Sequence, residues 1–148
     1  MEVFRNTIGV LVGLLVAGVI IGLGIRIEAG DPGGCFFSPY NTWWEFLMSR
    51  KDDSGFFVYL LFLSGISATI GGVATAFIVK RAKVAYAILI GFILLFIALI
   101  DIIIVPYHPT FYKLCIFLTF FPFSWLGGKL TEVLFDRKKS RTEESHSR

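Results

Sequence analysis

Asp101 is the residue best placed to do chemistry, because it is the one charged side chain within the apolar run 84–105. A carboxylate in hydrocarbon is costly unless it is paired or protonated, so it marks a candidate functional position. Lys113 begins the next apolar run at the same end, and His108 lies in the turn between the two. Two interpretations stay open: an Asp101–Lys113 ion pair that fixes a hairpin, or a carboxylate that carries protons or cations.

Other chemistry is sparsely represented. Cys35 and Cys115 do not form a CxxC pattern, so they are either a candidate structural disulfide or two inert thiols. The histidines, His108 and His146, are too few and too far apart to predict a metal site. The glycine pairs lie within apolar runs and not in a phosphate-binding loop. We therefore predict no cofactor, no metal and no catalytic set, and hence a protein that is not an enzyme.

The elements that must position Asp101 are apolar segments of membrane-spanning length. The 148 residues are 55% hydrophobic, with a mean hydropathy of +0.75. Four apolar runs, at 7–25, 56–79, 84–105 and 111–128, approach the ~20 residues that a helix needs to cross a bilayer. The first run exceeds the length of a signal peptide's apolar core, so we expect an uncleaved span. The sequence predicts an all-α integral membrane four-helix bundle, built from two helical hairpins within residues 1–135.

Two polar segments accompany these runs. In the loop 26–55, Ser38 is a candidate N-cap and Pro39 a candidate first helical residue, followed by an aromatic stretch that includes Trp43. This pattern predicts a short helix lying in the lipid headgroup layer, with a lid over a cavity as the alternative. The tail 136–148 is polar without apolar periodicity and is predicted to be disordered.

Small residues recur at helical spacing in the second run. They form one stripe that leaves Gly71 to its side and has a counterpart in the first run: Ser64, Ala68, Gly72 and Ala76 against Gly9, Gly13 and Ala17. Small residues let helix backbones approach closely in a membrane, so the stripe predicts helix packing. A ligand path is the alternative, but it would need polar groups, and the nearby Ser67 and Thr69 can bond to their own helix.

Basic residues flank the apolar runs unevenly. The larger group would lie on one side of the membrane: Arg5, Lys80, Arg81, Lys83, Arg137, Lys138, Lys139, Arg141 and Arg148. The smaller group would lie on the other: Arg26, Arg50, Lys51 and Lys113. Lys129 and Glu132 are an expected i,i+3 pair near the inner interface. The positive-inside bias predicts that both termini are cytoplasmic. The basic residues therefore act as topological anchors, and no nucleic-acid partner is expected.

The layout resembles that of small four-span prokaryotic integral membrane proteins of unknown function. The resemblance rests on "GG" at 71–72 before a basic turn, "HP" at 108–109 before the last run, and Pro122 followed by "GG" at 127–128. It extends to Arg137 and implies a bacterial inner membrane without implying an activity. Small multidrug exporters fit less well, because they carry a glutamate in the first span and the run 7–25 has no charge.

These patterns lead to two functional expectations. The first is a non-enzymatic accessory or scaffold subunit, surrounded by lipid and associated with a second copy or with another membrane protein. The second is a small transporter or channel subunit that uses Asp101. The sequence names neither a substrate nor a partner.

Overall fold

The chain folds into five α-helices in a computed structural model that describes residues 2–28, 43–79 and 82–146, and those residues contain no strand. The helices are α1 (Glu2–Glu28), α2 (Trp43–Arg50), α3 (Ser54–Ile78), α4 (Lys83–Ile104) and α5 (Thr110–His146). All except α2 are long and apolar enough to cross a membrane, judged by length and composition. The all-α fold with four long apolar helices, predicted from the sequence, is confirmed.

Helix α3 lies at the centre, where it packs against α1, α4 and α5, while α4 also packs along α5. The interior is rich in small side chains, and Ala17, Ala68 and Ala87 are fully buried. Large apolar side chains face outward, as in Ile103 and Leu118, which are 79% and 75% exposed. Small residues inside and bulky apolar residues outside are the arrangement that suits helices surrounded by lipid. The packing therefore agrees with the predicted four-helix bundle.

Local sequence explains the helix ends near Asp101. The carboxylate of Asp53 accepts a hydrogen bond from the backbone N–H of Phe56 at 3.1 Å and so caps the start of α3. Val105 precedes a proline and has the extended backbone that this position requires, with φ −112° and ψ 97°, which ends α4. The carbonyl of Pro109 then accepts from the N–H of Lys113 at 3.2 Å as α5 begins.

Helix α2 packs onto one end of the bundle, which we call the α2 end. Phe46 and Leu47 are buried, and the Phe46 ring meets that of Phe56 edge to face, with centroids 5.4 Å apart. The predicted short helix is confirmed within the described residues, whereas its predicted start at Ser38 and Pro39 lies outside them. The placement of this helix in the headgroup layer and the lid alternative both stay predictions.

Helix α5 runs further than the sequence predicted. The tail predicted to be disordered from residue 136 continues the helix to His146. The reason is that arginine, lysine and glutamate are good helix formers, and extending an existing helix carries no nucleation cost. Apolar periodicity identifies helices that bury a face, so it gives no signal for a polar extension of this kind.

Candidate functional site

Asp101 lies in the last turn of α4, at the α2 end of the bundle, and its side chain is 31% exposed. One oxygen, Oδ1, accepts a hydrogen bond from the indole Nε1–H of Trp43 at 2.8 Å. The other, Oδ2, lies 3.1 Å from Nε2 of His108. The carboxylate thus joins α4 to α2 and to the turn before α5.

His108 is held in place by the turn that contains it. Its side chain is fully buried, and Nδ1 lies 2.9 Å from the carbonyl oxygen of Val105. A carbonyl can only accept, so Nδ1 must donate and carry the proton. The Nε2 atom is buried and lies 3.1 Å from Oδ2 of Asp101 without the alignment of a hydrogen bond. The ring is stacked on Tyr112, with centroids 5.2 Å apart, and meets Phe57 edge to face.

The partners of Asp101 differ from the predicted ion pair. His108 and Trp43 contact the carboxylate, and Lys113 is not in any of the ion pairs found in the described part of the chain. Helical geometry supplies the reason. Tyr112 occupies the position on α5 that faces the same cavity as Asp101. Successive residues are rotated by about 100° on a helix, so Lys113 is directed away from it.

A cavity of about 260 Å³, which we call the α2 cavity, opens beside Asp101. Its apolar walls come from α1, α3 and α4, and its polar groups from all helices except α1. The lining residues are Ile21, Ile25, Trp43, Leu60, Ser64, Leu94, Ile97, Ala98, Asp101 and Tyr112. An apolar cavity with a few convergent polar groups is the usual form of a small-ligand site.

Arg50 connects α2 to the neighbouring helices at this end of the bundle. Its Nη1 lies 3.5 Å from Oε1 of Glu28 and 3.2 Å from Oδ2 of Asp53. The guanidinium also lies 6.0 Å and 5.9 Å from the ring centroids of Phe46 and Phe56. It therefore joins the end of α1 to α2 and to the start of α3. Sequence reasoning used Arg50 only as a topology signal, since the spacing between Glu28 and Arg50 carries no pattern.

The pKa of the Asp53 carboxyl is lowered, chiefly by the hydrogen bond that it accepts from the backbone N–H of Phe56. Arg50 lowers it further through a hydrogen bond and through its charge, against an opposing contribution from desolvation. The ionised form of Asp53 is therefore the form that caps α3 and holds Arg50.

The predicted small-residue stripe is buried, but it does not face α1 throughout. A Cβ on Gly72 would lie 3.0 Å from the carbonyl oxygen of Ser124 on α5. Gly71 is the residue that meets α1, since a Cβ there would lie 2.8 Å from the carbonyl oxygen of Gly13 and 3.1 Å from Cβ of Ala17. Thr75 strengthens the same contact by donating to the carbonyl oxygen of Gly9 at 3.1 Å. The pairing predicted for Gly72 with α1 is therefore replaced by pairing through Gly71 and Thr75.

The remaining members of the stripe are also accounted for. Ser64, Ala68 and Ala76 are buried, and Ser64 lines the α2 cavity. Gly9 approaches the end of α3, where a Cβ would lie 3.0 Å from Cγ2 of Val79. The stripe therefore lies in the interior of the bundle.

Three other predicted positions complete the site residues. Cys115 is a free, half-buried thiol and Cys35 lies outside the described residues, so the disulfide and the inert thiols both stay predictions. The predicted pair of Lys129 and Glu132 is confirmed, with Nζ and Oε2 2.7 Å apart. Among the described residues, no group of three or more histidine, cysteine, aspartate or glutamate side chains could hold a metal ion.

Comparison with known proteins adds no relative: no family model, no curated protein and no solved structure matches this chain.

Proposed function

We propose that the chain is a multi-pass protein of a bacterial inner membrane, with both termini in the cytoplasm. Four helices of spanning length, with their bulky apolar side chains on the outside, support the membrane assignment. The uneven distribution of basic residues supports the orientation. The resemblance to small four-span prokaryotic proteins is the basis for choosing the bacterial inner membrane.

Within that membrane we propose a non-enzymatic accessory or scaffold subunit. The observation that supports this proposal is that the helix backbones contact one another closely at glycines inside the bundle. A Cβ on Gly71 would press on the backbone of α1, one on Gly72 or Gly91 on the backbone of α5, and one on Gly127 on the backbone of α3. Contacts this close fix the helices relative to one another and favour a rigid binding partner over a conducting pore.

The partner in this proposal is a second copy of the chain or another membrane protein. Purification in a mild detergent tests it, with stoichiometry measured by quantitative staining and mass by light scattering. We expect the wild-type chain to elute as a dimer or with one partner at a fixed ratio. Gly72→Leu, which overfills the contact with Ser124, should abolish that association. A wild-type chain that elutes as a folded monomer without a partner would contradict the accessory role.

The α2 cavity favours a second candidate, a small transporter subunit that uses Asp101. A carboxylate beside a cavity at one end of a bundle is placed where a proton or cation could be exchanged. Proton-coupled uptake into vesicles containing the purified chain would support this candidate. Asp101→Asn should then abolish uptake while the chain stays folded, because the amide oxygen still accepts from Trp43. Equal uptake by the two proteins would exclude it.

A further inference from the structure

The α2 cavity is chemically asymmetric. Ile21, Ile25 and Leu60 belong to its apolar wall, whereas Asp101 contributes the one acidic side chain among its lining residues. Among the described residues, no lysine or arginine lines it. A ligand that fits these walls must therefore be largely apolar and must not be an anion, because an anion would meet an uncompensated repulsion from the carboxylate.

Polar groups around the cavity retain unused hydrogen-bonding capacity. Oδ1 of Asp101 is engaged by Trp43, but Oδ2 has only the misaligned contact with His108. The Nε2 atom of His108, on a side chain that is fully buried, has no aligned partner. Tyr112, which is only 5% exposed, also lines the cavity. Asp101 and Tyr112 line the cavity, so their polar atoms are the ones that a ligand in it would meet.

Aromatic rings complete the same surface. Trp43 and Tyr112 both line the cavity, one from α2 and the other from α5. A cation placed against the face of a tryptophan or tyrosine ring is attracted by the electrons of the ring. A carboxylate, two aromatic rings and apolar walls together form the combination that recognises an ammonium group attached to an apolar body.

We propose that the α2 cavity binds a small organic ammonium ion, a protonated amine with a compact apolar body. The ammonium donates to Oδ2 of Asp101, and the apolar body lies against Ile21, Ile25 and Leu60. The volume of about 260 Å³ lies just below the roughly 300–1,000 Å³ of drug-sized ligand sites, which limits the ligand to small amines. This site goes beyond the accessory role, and it holds whether or not a partner co-purifies.

Benzylamine and benzyl alcohol are matched probes, because they share a phenyl ring and differ in the charge of one polar group. Binding of each to the purified chain can be measured by equilibrium dialysis at neutral pH, with uptake by empty detergent micelles subtracted. We expect saturable binding of benzylamine at one site and binding of benzyl alcohol weaker by about tenfold or more. Equal affinity for the two probes would overturn the proposal and would indicate an apolar cavity that takes lipid chains. This comparison requires no variant.

Two variants locate the site. Asp101→Asn retains the acceptor for Trp43 and should weaken benzylamine binding by about tenfold or more. Glu132→Gln is the matched control, because it removes one negative charge from an exposed pair with Lys129 that does not line the cavity. It should bind benzylamine as the wild type does. Unchanged binding by Asp101→Asn, or an equal loss in Glu132→Gln, would overturn the proposal.

Discussion

Asp101 lies where three parts of the chain meet, and its two oxygens face different partners. Oδ1 accepts a hydrogen bond from the indole N–H of Trp43 on α2. Oδ2 faces the buried imidazole of His108, which lies in the turn before α5. Replacing the acid by an apolar residue would remove the acceptor of the indole N–H of Trp43 and the carboxylate that faces His108. A hydrogen bond to a charged group contributes about 1.5–3 kcal/mol. Asp101 therefore links α4 to α2 and to the turn before α5.

A double-mutant cycle measures which partner Asp101 uses. We expect Asp101→Asn and His108→Gln to be coupled by about 0.5–3 kcal/mol in the free energy of unfolding, because the two side chains are in contact. The matched cycle combines Asp101→Asn with Lys113→Gln and should give a coupling below about 0.5 kcal/mol. The measurement is chemical denaturation in detergent. A larger coupling to Lys113 than to His108 would restore the ion pair that the sequence predicted.

The lowered pKa of Asp53, at the start of α3, predicts that the stability of the fold depends on pH. Its pKa is lowered in the folded chain, so its contribution to stability is present above the unfolded pKa and is lost as the pH falls through the folded pKa. Asp53→Ala should lower Tm at neutral pH, because the N–H of Phe56 and the guanidinium of Arg50 lose an acceptor.

Asp53→Asn is the control for this titration, because it retains a capping oxygen that does not ionise. Between about pH 5 and pH 3, the Tm of the wild type should fall more steeply than that of Asp53→Asn. Parallel Tm curves over this range would show that the carboxylate of Asp53 contributes nothing that depends on its charge.

At the scale of the helix, adjacent glycines let one helix touch two neighbours. Successive residues are about 100° apart, so Gly71 faces α1 while Gly72 faces α5 and α4. The second pair behaves in the same way: a Cβ on Gly127 would meet the backbone of α3, and one on Gly128 would meet α4. In each pair a threonine four residues after the first glycine donates to its carbonyl at 3.0 Å. Thr131 thus bonds within its own helix, whereas Thr75 shares its one hydroxyl hydrogen between Gly71 of α3 and Gly9 of α1.

Alanine substitutions test this account of α3. Gly71→Ala and Gly72→Ala should each destabilise the bundle, by about 1–3 kcal/mol, because the new Cβ of each meets a backbone carbonyl that cannot move aside. Gly71→Ala should cost at least as much as Gly72→Ala, since its Cβ approaches to 2.8 Å and the other to 3.0 Å. The sequence places Gly71 beside the packing stripe, whereas the structure places it in contact with α1.

Gly18→Ala is the matched control for these substitutions. A Cβ at this position of α1 meets nothing within 4 Å, so the variant should be neutral or slightly more stable, because alanine is the better helix former. Thermal unfolding in detergent measures all three variants. A destabilisation by Gly18→Ala equal to that of Gly71→Ala would show that the losses reflect helix propensity and not contact between helices.

At the scale of the whole molecule, sequence reasoning succeeded where one physical property dominates. Apolar runs of spanning length located the four long helices, and most of the helix ends lie within a few residues of the ends of those runs. The end of α5 is the main exception. Sequence reasoning failed where the answer depends on rotation or docking. Asp101 contacts His108 and not Lys113, and Gly71 and not Gly72 faces α1. Both outcomes follow from how the helices are rotated about their axes. Composition does not contain that information. The docking of α2 through Arg50 likewise joins residues that have no periodic relation.

The central claim of this account is that α1, α3, α4 and α5 span a membrane, with both termini in the cytoplasm. An even number of spans places the two ends of the chain on one side. The α2 end, with the start of α3 and the α2 cavity, then faces the opposite side. Ser54 begins α3 at that end, whereas Ser145 lies in the last turn of α5.

Cysteine accessibility measures this arrangement most directly. In a background with Cys35→Ser and Cys115→Ser, the variants Ser54→Cys and Ser145→Cys are treated in intact cells with a membrane-impermeant maleimide. We predict labelling of Ser54→Cys in intact cells and labelling of Ser145→Cys only after the membrane is permeabilised. The reverse pattern would contradict the orientation, and labelling of both variants in intact cells would contradict the four-span arrangement itself.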